Sequence, residues 1–136
     1  KRQAELRESI EIFFFAYRAF TSLPDRILAE RGLGRVHHRI LYFVARSPGI
    51  AVNALLGVLD VSKQALHAPL RELVDKGLIA ATPAEHDRRV KQLVLTDAGA
   101  ALEAALLRVR ARIRRQPADR CLYQECRQAG DAERGV

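Results

Sequence analysis

Apolar residues recur every three or four positions through most of the chain and in two shorter alternating runs, and this contrast predicts its elements. Leu6, Ile10, Phe13, Phe14, Tyr17 and Phe20 form one stripe of a long helix over 4–31, while Ile12, Phe15, Ala19 and Leu23 fill much of its other side. A helix apolar on two sides has to be covered on both, and a second subunit would supply that cover. Pro24 is expected to kink or restart the helix, with Asp25 in the new first turn, and Gly32 and Gly34 to end it. A second helix over 36–47 carries Ile40, Leu41, Phe43 and Val44 and closes at "SPG", and a short third helix follows over 52–59.

The stretch "VSKQALHAPLRELVDKGL", residues 61–78, reads as a fourth helix, with Leu66, Leu70, Leu73 and Val74 on its buried face. Ser62 stands at the cap and Gly77 at the end. Pro69 lies in its middle, where a proline removes a backbone hydrogen bond and costs on the order of 3 kcal/mol. The continuous apolar stripe favours a single helix all the same. Two explanations stand: a bend that re-aims the first half, or simple toleration of a costly residue. "LIAAT" and "KQLVLT", joined by the polar "PAEHDRR", then read as a β-hairpin. Thr96 caps a last helix over 97–115, striped by Ala98, Leu102, Ala105, Leu106 and Val109.

Composition adds one departure from the ordinary. Of 136 residues, 23 are Lys or Arg and 16 Asp or Glu, a formal net charge of +7 that favours a polyanionic partner such as nucleic acid. Charge alone would also suit an anionic membrane, but no apolar run approaches the roughly 20 residues that span a bilayer. The chain opens on Lys1, as a trimmed start would, and without a signal-peptide pattern, so a cytoplasmic protein is expected. Cys121 and Cys126 point to different sides of a helix and read as reduced thiols; flanking Arg120 and Arg127 leave a redox-sensing thiol as the alternative. The four histidines and two cysteines fall in no metal-ligand spacing, and no nucleophile–base set or glycine-rich phosphate loop occurs. Neither an enzyme nor a cofactor is therefore expected.

The order of helices and hairpin is that of a mainly α protein with a small β-hairpin wing, a winged helix-turn-helix flanked by long helices. "ELVDKGLI" leading into the hairpin, "DRR" within it and "LTDAG" opening the next helix together resemble the MarR family of bacterial transcriptional regulators, over about Leu33 to Leu107. The resemblance implies three regions: a helical dimerisation lobe at 1–34, a winged DNA-binding region at 35–95, and the rest of the lobe with a tail at 96–136. The family usually has glycine where this chain has Asp60, a residue that tolerates the left-handed turn needed there.

The fourth helix would then be the recognition helix. Its face opposite the core displays Lys63, Gln64, His67, Ala68 and Arg71. Gln64 suits adenine and His67 guanine, Lys63 and Arg71 suit phosphates, and the backbone capped by Ser62 could also meet a phosphate. In the wing, Arg88 and Arg89, followed by Lys91, would enter the minor groove, with Asp87 orienting one guanidinium. The family's arginine soon after "GL(I/V)" is missing here, where Ala80 and Ala81 stand. Arg108, Arg110, Arg112, Arg114 and Arg115 cluster toward the end of the last helix, where cations suit the helix dipole.

The resemblance further implies a homodimer on a pseudo-palindromic double-stranded operator and release by a small aromatic or anionic effector, with Tyr17, His37, His38 and Tyr42 the candidate lining. The expected function is a sequence-specific regulator, a repressor. The rival is a winged-helix protein-interaction or sensing module that lacks sequence-specific DNA binding.

Overall fold

A computed structural model describes the backbone of residues 1–115 and the side chains through Arg112. The tail from Gln116, with Cys121 and Cys126, lies outside the described residues. The elements are α1 (Arg2–Ala29), α2 (Arg35–Arg46), β1 (Ile50–Ala51), α3 (Val52–Leu59), α4 (Lys63–Asp75), β2 (Ile79–Pro83), β3 (Lys91–Leu95) and α5 (Asp97–Arg115).

α1 runs unbroken through Pro24, so the expected restart does not occur. The proline forfeits one backbone bond, but Leu28, one turn on, is fully buried and holds the helix in register past it. The helix ends at Gly32, whose φ of +69° lets Leu33 N–H reach back to Leu28 O at 2.9 Å. α4 ends the same way: Gly77 has φ +70°, and Leu78 N–H donates to Leu73 O at 2.9 Å.

Leu78 is thereby spent on the helix cap, and the hairpin begins one residue later than the apolar run suggested. β2 and β3 pair antiparallel from Ile79↔Leu95 to Pro83↔Lys91. β1 adds a third strand, in the order β1-β3-β2, through Ile50↔Leu93 and Ala51↔Gln92. Two residues are too few to show alternation, which is why the sequence pattern does not reveal this strand.

Two compact units result, with boundaries inside α1 and α5. One comprises Leu28–Leu106; the other comprises Lys1–Ile27 and the chain from Leu107. The buried apolar core lies in the first, where Ile40, Leu41 and Val44 of α2 join Leu55 of α3, Leu66 and Leu73 of α4, and Leu93 of β3. Within the second, Arg18 and Arg110 stand over the rings of Phe14 and Phe20 at 5.9 and 4.7 Å from the centroids.

Candidate nucleic-acid interface

The junction between α3 and α4 sets how α4 is presented. Asp60 adopts φ 53°, ψ 48°, the one non-glycine residue with positive φ among the described residues, as the turn position requires. Ser62 follows as the cap of α4, its hydroxyl accepting the Ala65 N–H at 3.1 Å.

α4 is one helix through Pro69. Leu66 and Leu73 are fully buried, and Leu70 is half-buried. Val74 departs from the expected core face: it is 36% exposed, because 100° per residue carries it to the edge of the Leu66–Leu73 stripe. Lys63, Gln64, His67, Ala68 and Arg71 are all exposed, and the first four line a shallow concavity. Arg71 makes a loose ion pair with Asp75, 3.9 Å away, with both side chains largely in solvent. Such a pair contributes little and leaves the guanidinium available.

The loop joining β2 to β3 is tied at its base by Ala84 N–H to Val90 O at 2.8 Å, with Ala84 buried beneath. At its tip Asp87 accepts the Arg89 backbone N–H at 3.0 Å, and Val90 N–H donates to Asp87 O at 3.1 Å. Asp87 therefore shapes the turn through the backbone, the self-bonding that Asp makes readily in turns. Arg88, Arg89 and Lys91 are exposed.

The opposite root of the sheet is also fixed. Thr96 Oγ1 donates to Gly77 O and accepts the Gly99 N–H, and Thr96 N–H donates to Leu78 O at 3.1 Å. A side chain at Gly99 would place its Cβ 1.9 Å from Leu78 O, so only glycine permits this approach. The Thr-Asp-Ala-Gly opening of α5 thus joins the cap of α4 and the root of β2.

Tyr17, His37, His38 and Tyr42, the residues expected to line an effector site, lie on α1 and α2. Tyr17 belongs to the other compact unit, while His37, His38 and Tyr42 belong to the winged one. His37 is buried, and both its ring nitrogens are engaged: Nδ1 accepts the Gly34 N–H at 2.9 Å, and Nε2 lies 2.9 Å from Glu72 Oε2. His38 is likewise buried, and Tyr42 packs edge-on against Phe43. Glu72 was not legible as a site residue, since its partner is 35 positions away and no local spacing links them.

No group of three or more metal-ligating side chains occurs among the described residues, and no described helix is long and apolar enough to cross a membrane.

Three short helices, a small antiparallel sheet and a basic hairpin loop define a winged helix-turn-helix protein. Residues 31–90 match the model of the MarR family. The HTH-type transcriptional regulator PetP of Rhodobacter capsulatus is 48% identical over 102 residues, covering 75% of this chain and 61% of that protein's length. A crystal structure of a MarR family transcription regulator matches with a TM-score of 0.74 at 18% identity, over 98% of this chain and 89% of that one. A mutant MepR of S. aureus bound to an oligodeoxyribonucleotide matches with a TM-score of 0.69 at 18% identity, over 90% and 91% of the two chains. Residues 31–90 thus match the MarR family of transcriptional regulators, and the chain is similar to regulators of that family.

Proposed function

We propose that the chain is a sequence-specific, double-stranded DNA-binding regulator, a cytoplasmic repressor with no enzymatic activity, that works as a homodimer on a pseudo-palindromic operator. The observation that carries this reading is the face of α4. With its leucines in the core, the helix turns Gln64, His67 and Arg71 to solvent in one row, and the net charge is +7. Base edges are read from such a row near a helix N-terminus, while charged neighbours meet phosphates. Gln64 and His67 would read, Lys63 and Arg71 would position, and Arg88, Arg89 and Lys91 would anchor the wing in a minor groove.

The homodimer is supported by the first helix. Leu6, Ile10, Phe13 and Phe14 are 60%, 60%, 74% and 55% exposed, an apolar stripe that water disfavours and a second copy would cover. Two-fold symmetry would set half-sites about 10 base pairs apart. A small aromatic or anionic effector remains part of the reading through the likeness to the MarR family. Tyr17, His37, His38 and Tyr42 are the candidates for contacting it.

Selection of duplexes from a random library, with affinities of the enriched sites followed against salt, tests the proposal. An enriched inverted repeat that outcompetes scrambled DNA at physiological salt is the expected result. Affinity that only tracks counterion release, with no enriched sequence, would leave charge as its source and favour a protein-interaction module instead.

A further inference from the structure

α4 depends on more than its leucines for its orientation. Pro69 offers no N–H to the Ala65 carbonyl, so the ladder is interrupted between the turn carrying Lys63, Gln64 and His67 and the half that follows. Leu66 and Leu73 anchor the helix on either side of that gap, but both lie on one stripe. Anchors on one stripe set the depth of a helix better than its roll about its own axis.

Glu72 lies about 120° round the helix from Leu66, at 100° per residue. There its carboxylate meets the buried His37 of α2 at 2.9 Å. The ring is held from its other side as well, because Nδ1 accepts the Gly34 N–H at 2.9 Å. An accepting Nδ1 carries no proton, so the neutral ring carries it on Nε2 and donates it to Glu72. The start of α2 thus grips the flank of α4 through one imidazole in one tautomer. A roll of 10° moves side-chain ends by about 1 Å at the roughly 6 Å radius of a helix, enough to spoil a base-pair contact.

We propose that His37 and Glu72 are positioning residues for base reading, fixing the roll of α4 so that Gln64 and His67 meet base edges. The inference rests on the DNA-reading function proposed above and adds the residues that aim it.

Paired conservative variants separate positioning from packing. His37→Gln can still offer an amide N–H toward Glu72 but cannot accept the Gly34 N–H; His37→Asn can accept that N–H but falls short of Glu72. Glu72→Gln keeps an acceptor while losing the charge, and Glu72→Ala loses both. The readout is the ratio of affinities for the selected duplex and a scrambled one at fixed salt, with thermal unfolding recorded alongside. His37→Gln and Glu72→Gln should keep the ratio within about twofold, whereas His37→Asn and Glu72→Ala should lower it about tenfold, the scale of one good base contact. The loss should fall on the selected duplex.

An unchanged ratio in both His37→Asn and Glu72→Ala overturns the inference while leaving the DNA-reading function intact. A ratio that falls equally in His37→Gln and His37→Asn, in step with melting temperature, makes the contact a packing element only and also overturns it. Wild-type protein that selects no sequence removes the DNA-reading function and this inference with it.

Discussion

The two ends of α1 belong to different kinds of structure. From Leu28 onward the chain is closed: all fourteen buried apolar residues among those described lie between Leu28 and Leu106. Before it the chain is open. Among the described residues, eight of the eleven exposed large apolar ones lie between Leu6 and Leu23, and only Thr21 and Pro24 of the first 27 residues are buried. The winged unit satisfies its own hydrophobic pattern, whereas the first helix carries a pattern that is exposed among the described residues. Equal apolarity therefore has two meanings here: a core in one region and, on the homodimer proposed above, a surface for a second copy in the other.

The sharpest way to break this contrast is to hollow the closed region. Leu73→Ala empties a fully buried position on α4, beside its cap with Leu78, and should destabilise the fold by about 2–5 kcal/mol. Denaturant unfolding at fixed chain concentration reads the effect. A loss below 1 kcal/mol, set against the range usual for buried leucines, would show that the winged core is looser than its burial implies.

The open region should respond differently. Ile10→Glu with Phe13→Glu places charge on the exposed stripe of α1, where no described core contact is lost. Association should weaken by about 2 kcal/mol or more, as for a central interface residue, while the winged unit keeps its fold. Sedimentation equilibrium gives the first quantity and circular dichroism the second. An unchanged association constant would mean that this stripe is covered by something other than a second copy.

The same contrast explains what the sequence could and could not reveal. Features written in neighbouring residues were legible: the Ser62 cap, the Asp60 turn, Gly77 as the end of α4, and Thr96 at the start of α5 are each settled within four or five positions. The apolar stripe of α1 was legible too. Long-range pairings were not. The two-residue β1 exists because Leu93 and Gln92 lie beside it, and the contact of His37 with Glu72 joins residues 35 positions apart. Pro24 and Val74 fail for a related reason. Their local signals, a helix breaker and a β-branched apolar residue, were outweighed by where their neighbours are anchored.

A smaller effect sharpens the picture within the closed region. Ser62→Ala removes the acceptor for the Ala65 N–H at the start of α4 and should cost about 1 kcal/mol. Because the residues proposed to read bases begin immediately after that cap, operator affinity should fall somewhat more than stability alone explains. Ser62→Asp, which preserves capping, should restore stability yet weaken binding by placing a negative charge where a phosphate approaches. Comparing the two variants in melting and in filter-binding assays separates the cap from the contact.

The wing should show the least effect on folding and the cleanest one on binding. Arg88 and Arg89 are exposed, and the shape of their turn is held by Asp87 through the backbone of Arg89 and Val90. That bond survives truncation of either guanidinium, so Arg88→Ala and Arg89→Ala should each leave stability within about 0.5 kcal/mol of wild type. If each arginine neutralises one phosphate, the slope of log affinity against log salt should become shallower by about one per variant, with a similar loss on selected and scrambled duplexes. Asp87→Ala removes the bond that shapes the turn and keeps both arginines. It should weaken binding despite relieving the duplex of a nearby negative charge, since two mobile cations lose more entropy on docking than two held in place. Tighter binding by Asp87→Ala would mean that net charge alone governs the wing and that its turn contributes nothing to aim.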